Sequence, residues 1–499
     1  MIEKALSKDA LGPCLSTDLT EYLINRHGLK PDAARQRVRR ASSNVKRLAY
    51  LKFARGVRFM YLEEDYASPW FWSSLYNAIY TTKGPYARAL GAVDARDVVT
   101  ISDFHTVCGS PIAQKKQVSS QTVLDRMTQA GVFVQKTIPG LGLCVMTKQF
   151  YEAYPEHTLA FIRSRNLAEK VLLDSIKEWL KRLAIASFDK VQVKGGEDFR
   201  PKVGTFYWDL TAPSYLSPLV TWQRDNPPKP GFVVCDVLLN SSVSLNHIEP
   251  YIHKVKTLKA FKNIGSTLFI FVASHYQKDA FQALREIGCI PATPESLFGK
   301  DIAEAFNELI YVLGNAASGA IDPARFDDLF GRLSKLEGAV GNMRGAFFEL
   351  LVAHIVRQDH PGDLMLNKQC KDDEGRVAEI DVYATSNGKP PRIIECKGMA
   401  PDIELSDDEI GKWLTVRIKR VREFLNRTEV TIPNGPKPIF ELWTSGKLSE
   451  KAKVRIDRTR DANRAKFELV VVGPEDIRSL VKHDKPLLQT LEQHFLPHY

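Results

Sequence analysis

The sequence predicts a multidomain α/β protein, on three observations. Its 499 residues are too many for one ordinary core and suit about three or four domains of ~100–200 residues each. From about residue 167 onward, amphipathic helical stretches alternate with strand-sized apolar runs such as GFVVCDVLL (231–239), the pattern of mixed α/β domains. Ahead of these, residues 1–150 run twice through one short order of helix, helix and two strands.

Composition narrows the class. Hydrophobic residues make up 44% and charged residues 26%, a globular balance rather than a disordered one. Lys plus Arg number 69 against 59 Asp plus Glu, a net charge of +10 that suits a polyanionic partner where it is clustered. Seven scattered cysteines without a CxxC pair argue against a disulfide framework, a zinc ribbon or an iron–sulfur cluster. The N-terminal MIEKALSKDALG has no apolar core of a signal peptide, and LFIFVA (268–273) is too short to span a bilayer. A soluble, cytoplasmic protein with no membrane partner is expected.

In the first repeat, TDLTEYLINRHG (17–28) has helical spacing, and Pro31 opens a second helical stretch over 32–45. LAYLKF and VRFMYL then read as strands joined at Arg55-Gly56. The second repeat offers DARDVVTISDFHTV as helix or turn, SSQTVLDRMTQAG (119–131) as a helix, and a hairpin turning at Pro139-Gly140. Both copies resemble a winged helix-turn-helix, which sets domains at 1–66 and 67–150. From Arg35 to Arg58 the first copy carries nine cations and no acid. Arg35, Arg37, Arg39, Arg40, Lys46 and Arg47 are its candidate phosphate contacts, against the blander reading of a solvated helix face. The second copy has only Lys115, Lys116, Arg126 and Lys136 near the equivalent elements, which suits packing.

A middle α/β domain is expected over 151–310, opening on the amphipathic helix 167–185. An Ala- and Gly-rich linker with one helix follows over 311–340, and a last domain over 341–499. That last domain reads as helix RGAFFELLVAHIV (344–356), strands at 363–370, 377–384 and 392–398, helix 407–426, and strands at 440–445 and 467–473. Asn387-Gly388 separates its second and third strands. Charge sits oddly there: Asp381 lies on one strand, and Glu395 and Lys397 share a face of the next. Buried strands avoid charge unless it is paired or bound to a metal.

Helix with Glu349, strand with Asp381, then strand with Glu395-x-Lys397, at a spacing of 14 residues from Asp381 to Glu395, resembles the PD-(D/E)xK, or restriction-endonuclease-like, superfamily. Ile380 stands where the motif's name has Pro. The resemblance covers 341 to about 480 and implies a Mg²⁺-dependent endonuclease, with Mn²⁺ able to substitute. Asp381, Glu395 and the Cys396 backbone carbonyl would bind the ion. Glu349 would add a further, often water-mediated, contact, and Lys397 would orient or deprotonate the attacking water. Each residue alone also has an ordinary reading: a same-face ion pair, a turn residue, an exposed helix edge. Glu379 shares a strand face with Asp381 and either reaches the metal or pairs with Arg376 or Lys397; Lys412 and Arg417 would either touch the scissile phosphate or be solvated, and solvation is expected. In the middle domain, Glu169, Asp209 and Asp236 mimic Glu349, Asp381 and Glu395, but Leu238 replaces the lysine. That domain is either an inactive nuclease-like copy or a plain α/β domain.

The whole suggests a DNA endonuclease placed on duplex DNA by winged helices, by family analogy in prokaryotic restriction or anti-phage defence. A homodimer or protein partner would supply the second active site for a double-strand break. Two alternatives stand beside it: a DNA-binding regulator or assembly factor whose nuclease-like domain does not cut, and an RNase or tRNA-directed toxin.

Overall fold

The computed structural model describes residues 1–138, 141–153, 158–195, 199–222, 228–240, 242–261, 263–315, 323–336, 339–360, 362–386, 389–400, 403–427 and 437–497. It is a multidomain α/β protein with several small sheets. The chain divides into two compact units, one of 1–136, 143–154 and 183–293, the other of 137–142, 155–182 and 294–499. The expected turns at Pro139-Gly140 and Asn387-Gly388 lie outside the described residues. No helix among the described residues is long and apolar enough to cross a membrane.

In the first unit the expected repeat is present as an order of elements. Strand Cys14–Leu15, helices Ser16–His27 and Pro31–Arg39, and strands Val45–Arg47 and Phe59–Leu62 form the first copy. Strand Val98–Thr100, helices Ile101–Val107 and Ser120–Gln129, and strands Phe133–Ile138 and Gly142–Thr147 form the second. In each, the last strand lies between the other two. Gly28 closes the first helix in the left-handed region (φ 65°), its N–H bonded to the Ile24 carbonyl, and Pro31 starts the next. That next helix ends at Arg39 rather than running to 45. The run 48–53 is not a strand: Tyr50 takes a φ of 70°, and Leu48, Leu51 and Phe53 are buried from an irregular loop.

Two helices between the copies, Pro69–Thr81 and Pro85–Asp94, have no counterpart in the sequence reading. Each opens on proline, and Ser68 caps the first by accepting from the Phe71 N–H. Their buried faces, including Phe71, Leu75, Ile79 and Leu90, join Phe59 of one copy and Val123 and Val145 of the other in one core.

The same unit holds a five-stranded sheet ordered Gln192–Val193, Leu210–Ser214, Gly231–Leu238, Thr267–Ala273, Cys289–Ala292. Its first three strands run antiparallel and its last three parallel. The second unit has a sheet of the same plan: Asp363–Lys371, Val377–Thr385, Arg392–Lys397, Ile439–Thr444, Glu468–Val472, again antiparallel then parallel. Helices cross over at equivalent places. Leu245–Lys259 follows the third strand of one sheet, and Asp407–Lys412, a π-helical turn Trp413–Arg417 and Ile418–Arg427 follow that of the other.

Two expectations are corrected here. The helix expected to open the middle domain spans Thr158–Arg182 and packs against helices Lys300–Asn315 and Ala339–Asp359 of the second unit. Its amphipathic face was legible, but periodicity names no partner. The expected linker is also more built than a tether. Helix Pro323–Leu333 buries Leu329 and Leu333, and Arg332 pairs with Asp301, Glu308 and Asp328 at 3.0–3.1 Å.

Candidate active site

The acidic centre of the second unit follows from strand register. Val382 pairs with Ile394 and Tyr383 with Ile393, so one step further Asp381 stands opposite Glu395. Directly opposed residues share a face, and Lys397, two residues on, shares it as well. Ile380, Val382, Ile393 and Ile394 are buried, so the strand carrying Glu395 and Lys397 is covered on both faces.

Each carboxylate already has partners. The Cys396 N–H donates to Asp381 Oδ2 at 2.7 Å. Lys397 Nζ lies 2.8 Å from Glu395 Oε1, and the Arg417 guanidinium pairs with the same oxygen. Glu395 is only 4% exposed, so these two cations compensate a buried charge. Arg417 is exposed, as expected, and is also carried to Glu395 by the π-helical turn Trp413–Arg417, a feature often found at functional sites and one with no simple sequence signal. Lys412 is exposed, as expected. Glu379 is exposed on the Asp381 strand, and Arg376 pairs with Asp372 and Glu374 rather than with Glu379.

The electrostatics suit a cation. Burial pushes the Asp381 carboxyl above its usual range, against the Cys396 N–H bond and the charges of Lys397 and Arg417. Burial, then the carboxylates of Asp381 and Glu379, pushes Glu349 well above its own. Burial likewise pushes the Cys396 thiol up, leaving its backbone carbonyl rather than its sulfur as a ligand for a hard ion. Among the described residues, no three Asp, Glu, His or Cys side chains are gathered as a ready metal cage. The donor set that register does supply is two opposed carboxylates and one carbonyl. It fits Mg²⁺, which keeps several waters and takes one or two carboxylates.

A pH dependence follows. A carboxyl whose pKa is raised by folding gives stability that is present below its unfolded pKa and lost as pH rises through the raised value. Protons at Glu349 and Asp381 would therefore compete with any divalent ion bound there. Its affinity, and the melting-temperature increase it gives, should grow as pH rises through that window, with protons released on binding. Calorimetry in buffers of different ionisation enthalpy checks this.

The middle sheet contains a second centre of the same register. Leu210 pairs with Cys235, which places Asp209 opposite Asp236. The Val237 N–H donates to Asp209 Oδ2 at 2.9 Å, the counterpart of the Cys396 bond to Asp381. Leu238 stands where Lys397 would, but two other lysines arrive from elsewhere. Lys254, from helix Leu245–Lys259, pairs with Asp236 at 2.5 Å and donates to the Thr106 carbonyl, and Lys194 pairs with Asp209 at 2.9 Å. Asp209, Asp236 and Lys254 are almost fully buried. Burial raises the Asp209 pKa, but the Lys194 ammonium and the Val237 bond outweigh it, and the carboxyl lies below its usual range. Glu169, expected as the third acid of this centre, belongs to the other unit.

On the first repeat, Arg35, Arg37, Arg39 and Arg40 are exposed on helix Pro31–Arg39 and its end. Two cations of the run meet acids from outside it: Arg35 pairs with Asp32 at 3.3 Å and Lys46 with Glu63 at 3.1 Å. Arg47 donates to the carbonyls of Val38 and Arg39, closing the helix C-terminus.

No family model matches the chain, and no curated protein does. Among solved structures, one described as a protein of unknown function, AF1548, is similar at 18% identity with a TM-score of 0.18. The match covers 27% of this chain and 64% of that one, so the chain spans less than two thirds of that protein's length.

Proposed function

We propose that the chain is a metal-dependent endonuclease of the PD-(D/E)xK type, placed on duplex DNA by its basic N-terminal winged-helix-like repeat. The observation that carries this reading is Asp381, just beyond the Val382–Ile394 pair and bonded by the Cys396 N–H at 2.7 Å, beside Glu395 and Lys397 at a 2.8 Å contact to each other. Asp381, Glu395 and the Cys396 carbonyl would hold Mg²⁺, with Glu349 behind a bridging water. When bound, the ion supplies charge for the phosphodiester transition state and lowers the pKa of a ligated water. Lys397 holds the attacking water and takes part in removing its proton, and Arg417 offers a second cation for the scissile phosphate. Arg37, Arg39 and Arg40 would track the DNA backbone without reading sequence. A role in prokaryotic restriction or anti-phage defence rests on analogy alone.

Cleavage of plasmid and linear DNA with Mg²⁺ tests the proposal, with single-stranded DNA and RNA beside them to separate DNase from RNase. For Arg39→Ala, duplex binding should weaken for every sequence, and the log–log salt slope should flatten by about 1. An unchanged slope would remove Arg39 from the phosphate contacts.

One observation favours a second reading, a DNA-binding regulator with a non-cutting domain. Glu395 is already neutralised by Lys397 and Arg417, as Asp236 is by Lys254 in the middle sheet. A regulator would bind DNA but no divalent ion.

A further inference from the structure

A cavity between the first repeat and the C-terminal end of the second repeat's helix Ser120–Gln129 is not used by backbone tracking. Its volume is about 320 Å³, at the small end of the ~300–1,000 Å³ typical of ligand pockets. Tyr50, Tyr61 and Tyr66 supply its aromatic wall, and Lys46, Glu63 and Gln129 its polar groups. Tyr61 and Tyr66 are stacked, with ring centroids 5.7 Å apart and planes at 29°. Tyr61 is buried, whereas Tyr50 and Tyr66 are 53% and 55% exposed and so present ring surface to solvent.

The backbone at Tyr50 is unusual. A φ of 70° is a rare conformation for a bulky residue, and such strain gathers at binding sites. Tyr50 lies in the irregular segment beyond strand Val45–Arg47, and its side chain lines the cavity. Arg47 lines the same cavity and is bonded to the last carbonyls of the basic helix Pro31–Arg39. The cavity and the cationic helix are therefore physically joined.

We infer that this cavity binds a single nucleotide, unpaired or swung out of a strand, its base against the rings of Tyr50 and Tyr66. Aromatic faces stack any base, and the small volume suits one base with its sugar rather than a run of them. The Arg47 guanidinium, held by the Val38 and Arg39 carbonyls, places positive charge beside its phosphate, and Lys46 is paired with Glu63 at 3.1 Å. Free nucleotides share this chemistry and are the other source of the ligand. The strand-borne form rests on the nucleic-acid reading above; the cavity's taste for a base does not.

The test compares three probes on the full chain: a fully paired duplex, the same duplex with one bulged cytosine, and cytidine monophosphate. The variants are Tyr50→Gly, which removes a ring while relieving the positive φ, Tyr66→Ala, and the conservative Tyr50→Phe. Wild type should prefer the bulged duplex, and Tyr50→Gly and Tyr66→Ala should each lose about 5- to 150-fold on that probe, the worth of one stacked aromatic. Both should keep paired-duplex affinity, Tyr50→Phe should retain the preference, and the Tyr50→Gly melting temperature should not fall. Ring-dependent binding of the mononucleotide alone would keep the cavity and overturn the nucleic-acid reading. Duplex binding with no bulge preference and no mononucleotide binding would overturn the cavity and leave that reading standing. Binding of none of the probes would overturn both.

Discussion

Lys397→Ala should abolish Mg²⁺-dependent cleavage, lowering its rate by about 10²- to 10⁴-fold while leaving divalent-ion binding intact. The split is the informative part. Lys397 is not a ligand in this reading, so removing it leaves Asp381, Glu395 and the Cys396 carbonyl in place, with Arg417 still at Glu395. What disappears is the ammonium that holds the attacking water. Metal binding should persist, or tighten, because a competing cation has left Glu395. Cleavage rates and ion titrations of the same preparation check both halves. Undiminished cleavage would remove Lys397 from the site, and joint loss of metal binding and folding would make it a structural ion-pair partner.

Lys254→Met should be among the most destabilising single changes in the first unit. It leaves Asp236 buried with its cation gone, which typically costs about 3–5 kcal/mol. It also removes the donor to the Thr106 carbonyl and the ammonium 4.1 Å from the Trp208 ring centre. Adding Asp236→Asn should recover much of the loss. Asparagine removes the stranded charge and keeps an oxygen to accept from the Asp209 N–H, now at 3.0 Å from Asp236 Oδ1. Denaturant titration of the single and double variants measures this directly. If the double variant is no more stable than the single, the pairing of Lys254 with Asp236 is not what holds the centre together.

The two sheets explain which parts of the site were legible in the sequence. Strand periodicity alone puts Glu395 and Lys397 on one face, whereas the pairing that brings in Asp381 is set by the fold. Leu238 in place of a lysine was equally visible. Arg417, Lys194 and Lys254 were not, because each reaches its carboxylate from another element. The π-helical turn that carries Arg417 adds a residue to the helical repeat without a signature in composition. So the sequence shows where acids cluster, and the fold shows what neutralises them.

The first repeat has the reverse character. Its helices could be drawn from Gly28 and Pro31, but the run 48–53 resembles a strand and is stopped by Tyr50, a conformation no propensity foretells. The helices at 69–81 and 85–94 were legible from Ser68, Pro69 and Pro85, signals of helix starts that the two-repeat reading passed over.

The central claim is that Asp381 and Glu395 form a metal centre, and one measurement tests it most directly. Calorimetric titration of Mn²⁺ into the wild-type chain and into Asp381→Asn, above the window in which the raised carboxyls titrate, should give binding in the first and its loss in the second. No binding to wild type, or equal binding to both, would contradict it.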